Sequence, residues 1–137
     1  NGVVVIDGSI SPGGIVSSPV KVTLENGVMT KIEGGIDASS WKARLDATGD
    51  PKIFELCHMS IGLNPRARMS GNMIEDERVV GCVDFGFGNQ DPSFKGTVGA
   101  SKFHVDVVLA SPTIYLDGVM LAEKNKLNSA LGFLDLK

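Results

Sequence analysis

Glu55, His58, Asp84, His104 and Asp106 are the residues of this chain whose types and surroundings could do chemistry. Each stands in a run that otherwise reads as core: Phe54 to Ile61, Val79 to Phe87 and Phe103 to Leu109. A buried carboxylate without a partner is costly or stays protonated. A fold therefore keeps several of them mainly when a cation, or one another, satisfies them. Two His and three carboxylates make a mixed nitrogen and oxygen donor set suited to Zn, Fe, Mn or Co. The chain has 2 His in all, and each lies near a carboxylate in sequence. Neither the H-x-D spacing of His104 and Asp106 nor the E-x-x-H spacing of Glu55 and His58 is specific alone. Their joint occurrence is the signal.

Strand geometry limits how these groups meet. In an extended strand His104 and Asp106 share one face. Glu55 and His58 fall on opposite faces unless the strand ends, twists or bulges between them. Cys57 and His58, as strand neighbours, also point apart, which argues against a Cys/His nucleophilic pair. The stretch Gly81 to Gly88 matches no phosphate-binding loop, having neither GxGxxG before a helix nor GK[ST]. The acidic run Glu75-Asp76-Glu77 reads as a solvated helix face, and Tyr115 as a strand residue.

The elements that must position these groups are mostly short strands. Gly2 to Asp7 is β-branched and continuous, a buried strand. Gly8 to Pro19 is turn-rich, with a short edge strand at Ile15-Val16. Val20 to Glu25 alternates apolar and polar, Asn26-Gly27 supplies a tight hairpin turn, and Val28 to Glu33 returns. After Gly34-Gly35, Asp37 or Ser39 caps a helix running to about Thr48, with Ala38, Trp41 and Leu45 on one face and Gly49 past its end. Trp41 anchors that helix to the sheet. Asp50-Pro51 is a turn into the strand that carries Glu55 and His58. Asn64-Pro65 opens one helical turn to Met69. Asn72 to Glu75 has capping-box spacing for a short acidic helix through Arg78. Gly86, Gly88 and the polar stretch Asn89 to Ser101 form a loop long enough to suggest function. Thr113 to Leu116, Asp117-Gly118 and Val119 to Leu121 make a second hairpin. The apolar tail, at Leu127, Leu131, Phe133, Leu134 and Leu136, packs back on the domain or on sequence outside it.

Composition narrows the class. At 137 residues the chain is a single domain with its own core. With 17 Gly and 42% hydrophobic residues it reads as a turn-rich globular protein. A net charge of −3 offers no basic patch for nucleic acid. No apolar run reaches the roughly 18–20 residues of a membrane helix. Cys57 and Cys82 are too few for a disulfide framework and read as reduced thiols of a cytoplasmic protein. The start at Asn1, almost directly in a strand, is expected of a piece of a longer chain whose N-terminal domain is absent.

Several blocks together resemble a known family. They are Glu55 to Pro65, Gly71 to Glu77, Gly81-Cys82-Val83-Asp84-Phe85-Gly86-Phe87-Gly88, His104-Val105-Asp106 and Leu116-Asp117-Gly118, with the opening Val5 to Ile10. This pattern is similar to the C-terminal domain of the thermophilic metallo-aminopeptidases, the aminopeptidase T/S or M29-type leucyl aminopeptidases. A related dioxygenase that opens the ring of 2,5-dihydroxypyridine shares their architecture. The peptidases hold two metals, zinc or cobalt, through two Glu, two His and an Asp. By that resemblance Glu55 matches the second Glu, and His104 and Asp106 match the H-x-D pair. Asp84 stands where the peptidases have a His, and the first Glu would precede Asn1. Asp91 or a neighbour replaces a peptidase Tyr. The dioxygenase binds one Fe(II) through His, Ser and Asp. In that comparison His58 matches the ligand His, Asp106 the Asp and His104 the nearby second His, while Asp84 falls near the Ser.

The resulting expectation is an α+β domain with a curved, mainly antiparallel, barrel-like sheet and two or three short helices. The leading function is aminopeptidase-like hydrolysis, with Glu55 and His104 catalytic. In that reading Zn, Co or Mn would be held by Glu55, Asp84, His104 and Asp106 and would polarise a carbonyl and activate water, while His58 is a metal ligand only in the alternative that follows. The alternative is a mononuclear Fe(II) ring-cleaving dioxygenase using His58, Asp84 and Asp106, with His104 as acid or base. A third reading is a non-catalytic dimerisation half of a larger protein. Expected partners are a peptide or small-molecule substrate and a second copy of the chain, with no nucleic acid and no membrane.

Overall fold

The computed structural model describes residues 1–98 and 100–133. It has the expected α+β character, built from three antiparallel sheets and two helices. The sheets do not close into a barrel.

The first sheet has the order β1-β4-β5, from β1 (Gly2–Ile6), β4 (Val20–Glu25) and β5 (Val28–Glu33). Its hairpin turns where expected: Asn26 and Gly27 both take positive φ, 51° and 77°, the geometry that matches the twist of paired strands. Helix α1 (Ile36–Ala47) packs on this sheet and buries Ala38, Trp41 and Leu45. Trp41 is fully buried, and its indole N–H donates to the Ser11 carbonyl at 3.2 Å. The cap differs from expectation. Gly35 occupies the N-cap position, and the Asp37 carboxylate instead accepts from the Ser17 N–H and hydroxyl. Asp37 is thus spent tying the 17–18 turn to the helix.

The second sheet carries the expected chemistry. Its order is β3-β2-β8-β7-β6, from β2 (Ser9–Ile10), β3 (Gly14–Ile15), β6 (Leu56–Ile61), β7 (Val83–Gly88) and β8 (His104–Leu109). Phe87, Val105 and Val107 on one face join Val4, Ile6, Val20, Val22, Trp41 and Ile53 in a single core. The opposite face carries the polar groups, beside the fully buried Val108. A third, small sheet of β9 (Ile114–Leu116), β10 (Val119–Glu123) and β11 (Lys126–Leu127) turns at Asp117-Gly118 as expected.

Other expectations need correction. Gly86 and Gly88 lie inside β7, so the loop begins only at Asn89, and it contains a 3₁₀ turn at Pro92–Phe94. The strand expected from Val79 begins at Val83, because Val79 to Cys82 turn back through hydrogen bonds to Asp76 and Val79. Pro65 to Met69 form no helix: the Asn64 side chain accepts from the Arg66 N–H in a local turn instead. Helix α2 is confined to Met73–Asp76, capped by Asn72, whose side chain accepts from the Ile74 N–H at 3.2 Å. Its acidic run is not a uniformly solvated face, because Asp76 is fully buried. Leu127 falls in β11 and Leu131 in a 3₁₀ turn, while Leu134 and Leu136 lie outside the described residues. Among the described residues no helix is long and apolar enough to cross a membrane.

Candidate metal centre

The site is built by the register of three strands. In β7, Asp84 pairs with Ser60 of β6 and Val108 of β8; Gly86 pairs with His58 and Asp106; Gly88 pairs with His104. Directly opposed residues of antiparallel strands share a face. His58, Asp84, His104 and Asp106 therefore all project from the side of the sheet opposite the core. Gly86, at the centre of this set, leaves the space that the His58 ring fills. A methyl group there would sit 2.1 Å from His58 Cε1 and 2.4 Å from Nδ1. Folded over the glycine, the ring places Nε2 at 2.9 Å from Asp84 Oδ2 and 3.6 Å from Asp106 Oδ1.

A β-bulge adds a further group. Leu56 pairs with Phe87 and His58 with Gly86, so Cys57 is the extra residue between them. The bulge brings the Cys57 side chain to the same side as His58. Its Sγ lies 3.6 Å from His58 Nδ1, 3.8 Å from His104 Nδ1 and 3.5 Å from the Asn89 carbonyl. Strict alternation had set Cys57 and His58 on opposite faces, and the bulge reverses that. Glu55 is not brought in. It caps the 3₁₀ turn Pro51–Phe54 and bridges Val28, and it belongs to neither cluster of converging donor atoms among the described residues.

Electrostatics mark Asp84. It is 1% exposed, and its Oδ1 has no hydrogen-bond partner among the described residues. Burial first, and the nearby Asp106 carboxylate second, push its pKa up to about 6, against the opposing pull of His58. His104 is also pushed up, which for an imidazole favours the charged form: its hydrogen bond to Asp106 raises its pKa despite partial burial. His104 Nε2 sits 2.9 Å from Asp106 Oδ1, and its Nδ1 lies 2.7 Å from the Asn89 carbonyl. The Cys57 thiol is pushed up to about 11, by burial and then by the Asp106 charge.

These donors suit a divalent cation. His58 Nε2, Asp84 and Asp106 offer one nitrogen and two carboxylates with ligand atoms within 4.8 Å of one another. Asp84 Oδ1 is a buried acceptor that no group among the described residues satisfies, and a cation could satisfy it. The group opens on a cleft of about 660 Å³, whose lining includes Ser60, Leu63, Asn64, Arg78, Asp91 and Phe94. That volume lies within the range of small-molecule sites, about 300–1,000 Å³. Leu63 and Phe94 are exposed apolar groups beside it. The Arg78 guanidinium is engaged by the Ile74 carbonyl and the Glu77 carboxylate.

Fold and donor set together define an α+β domain with a candidate one-histidine, two-carboxylate cation site. Residues 1–129 match the NicX family, 2,5-dihydroxypyridine 5,6-dioxygenase, and the chain belongs to that family. It is similar to the 2,5-dihydroxypyridine 5,6-dioxygenase of Pseudomonas putida KT2440, 27% identical over 105 residues, covering 72% of this chain and 30% of that protein. The solved structure of 2,5-dihydroxypyridine dioxygenase from Pseudomonas putida KT2440 matches 93% of this chain and 40% of that one. With a TM-score of 0.83 at 22% identity, the likeness is one of fold. The chain thus spans less than half the length of either relative. These findings overturn the expectation of an aminopeptidase-like metallohydrolase, since family and relatives are dioxygenases. The placement of Glu55 away from the converging donors agrees with that correction.

Sequence reasoning missed Gly86 at the site and set Cys57 aside as facing away from His58. Gly86 had a signal, since a glycine inside an apolar strand often marks close approach of another group. Cys57 had none, because a bulge is not visible in the alternation of Leu56 to Ile61.

Proposed function

We propose that this chain supplies the metal ligands of a non-haem Fe(II) ring-cleaving dioxygenase acting on a dihydroxylated pyridine or a closely similar aromatic ring. The observation that carries the reading is the buried Asp84 carboxylate, with one oxygen unpartnered and His58 and Asp106 beside it. His58, Asp84 and Asp106 would hold the iron, a donor set close to the facial arrangement that leaves positions open. Bound there, iron would supply the one-electron chemistry by which O₂ attacks an electron-rich ring.

The chain's own groups orient and move protons. The Asn89 carbonyl holds the His104 ring through Nδ1, leaving Nε2 against Asp106 and facing the cleft. With its pKa raised, His104 keeps a proton further into the neutral range. It can pass that proton between Nε2 and a substrate hydroxyl. Phe94 and Leu63 give the flat ring an apolar edge that limits water. The same reading goes with a small-molecule substrate in a cytoplasmic, dimeric protein.

Metal analysis of protein purified without chelators tests the proposal. The expected result is about one Fe per chain, with O₂ uptake on 2,5-dihydroxypyridine. His58→Ala should lose both the iron and the uptake. Full iron content in that variant, or wild-type protein that binds no Fe(II), would overturn the assignment.

A further inference from the structure

The cleft beside the proposed metal ligands is rich in acceptors, with the carboxylates of Glu77, Asp84, Asp91 and Asp106 in its lining. Donors are fewer, since the Arg78 guanidinium is turned to the Ile74 carbonyl and Glu77. Asn64, also in the lining, differs in that every part of it but one is committed. Its backbone N–H donates to the Arg78 carbonyl at 2.9 Å, and its carbonyl accepts from the Val80 N–H at 3.2 Å. Its side-chain Oδ1 accepts from the Arg66 N–H at 2.9 Å. Only the amide oxygen can meet an N–H, so this bond also fixes which way the amide points. Nδ2, with two N–H donors, is left without a partner among the described residues.

The segment that carries Asn64 is itself locked. The Gly62 N–H donates to the Cys82 carbonyl at 3.1 Å, and a methyl group on Gly62 would collide with the Val79 carbonyl. The Ser60 hydroxyl, across from Asp84, can rotate between donating and accepting, whereas the Asn64 amide cannot. Asn64 follows Ser60 by four residues, at most about 14 Å along the chain, a span that a six-membered ring with a polar group at each end can bridge.

We propose that Asn64 is a specificity-determining residue, whose Nδ2 donates to an acceptor on the substrate ring edge that faces away from the cation: a ring nitrogen or an oxygen bonded to the ring. The inference rests on the dioxygenase reading and deepens it. The metal ligands take one end of the ring and Asn64 the other, so the cleft selects rings with an acceptor at both ends. A donor already fixed in place binds with little ordering cost. A ring lacking the second acceptor forgoes that bond and is discriminated against.

Calorimetry under nitrogen on the Fe(II)-loaded full chain tests this, with 2,5-dihydroxypyridine and phenol as probes, phenol having a single oxygen. Asn64→Asp keeps the acceptor for the Arg66 N–H and removes the donor. Asn64→Ser is neutral, supports the same kind of turn and is too short to reach the ring. Both should weaken 2,5-dihydroxypyridine binding at least tenfold while leaving phenol and Fe(II) affinities within twofold. Wild-type affinity for 2,5-dihydroxypyridine in either folded variant overturns the assignment and leaves the dioxygenase reading standing. An equal loss for phenol, or a loss of Fe(II), also overturns it, because Asn64 would then act through the fold. A wild type that holds Fe(II) but binds no 2,5-dihydroxypyridine sinks the dioxygenase reading and this inference with it.

Discussion

Two buried aspartates eight positions apart have opposite surroundings. Asp76, 0% exposed, ends helix α2, and its carboxylate is filled by its own loop. Ser70 N–H donates to Oδ1 at 2.7 Å, and Gly71 N–H reaches both oxygens at 3.1–3.2 Å. Asp84, 1% exposed, has His58 on one oxygen and nothing on the other. Burial alone therefore does not distinguish a structural carboxylate from a functional one. The distinction lies in whether the protein itself satisfies the lone pairs. Asp76 is a peg for the 70–72 turn; Asp84 is left with an acceptor free for the ligand role proposed above.

The largest effect should come from breaking the satisfied side. Asp76→Ala empties a fully buried site and removes the shared acceptor of the Ser70 and Gly71 N–H groups in the half-exposed 70–72 turn, and should destabilise the domain by about 2–3 kcal/mol. Urea denaturation of the metal-free protein measures it, and Fe(II) stoichiometry should not change in the folded variant. A loss under about 1 kcal/mol would show that the turn holds without its peg.

Asp84 should behave in the opposite sense. Its folded pKa, about 6, stands above the ordinary aspartate value, so the folded metal-free protein binds that proton more tightly than the unfolded chain. Stability should therefore be greatest below the ordinary value and fall as pH rises through about 6, by about 1–3 kcal/mol in all. Asp84→Asn should flatten this dependence, gain stability near neutral pH and lose Fe(II) affinity at least tenfold. Fe(II) should reverse the slope in the wild type, because the ligand binds deprotonated. Unfolding curves between pH 4 and pH 7, with and without metal, separate these outcomes. A metal-free wild type that gains stability over that range would contradict the account of Asp84.

The same contrast shows what the sequence could and could not reveal. Asp84 was visible because it interrupts Val79 to Phe87, and the H-x-D spacing placed His104 and Asp106 on one face by alternation alone. The hairpins at Asn26-Gly27 and Asp117-Gly118 were legible because left-handed φ is a local demand that few residues meet. Asp76 was misread because its partners are backbone N–H groups of Ser70 and Gly71, whose direction depends on a turn that the sequence does not specify. Glu55 was misplaced because the strand begins one residue later, after a 3₁₀ turn. Cys57 was lost to an inserted residue that breaks a period-two pattern. Local chemistry was readable; register and irregularity were set by pairing between distant strands.

The smallest stability change, and the sharpest test of the site face, should come from Gly86→Ala. The φ of Gly86 is not in the left-handed region, so alanine meets no backbone strain there. Alanine also costs less chain entropy than glycine in a strand, a gain of about 0.5–1 kcal/mol. What the new methyl meets is the His58 ring, 2.1 Å from Cε1 and 2.7 Å from Nε2. That side chain is 27% exposed and can swing toward the cleft, so stability should stay within about 1 kcal/mol of wild type. Swinging removes Nε2 from Asp84 and Asp106, however, and Fe(II) affinity should fall at least tenfold. Asp84 then loses its one partner while Asp76 keeps all of its own, and the two carboxylates diverge further. Unchanged Fe(II) affinity in a folded Gly86→Ala protein would show that the cradle over β7 does not position the ligand, and that His58 reaches the carboxylates by another route.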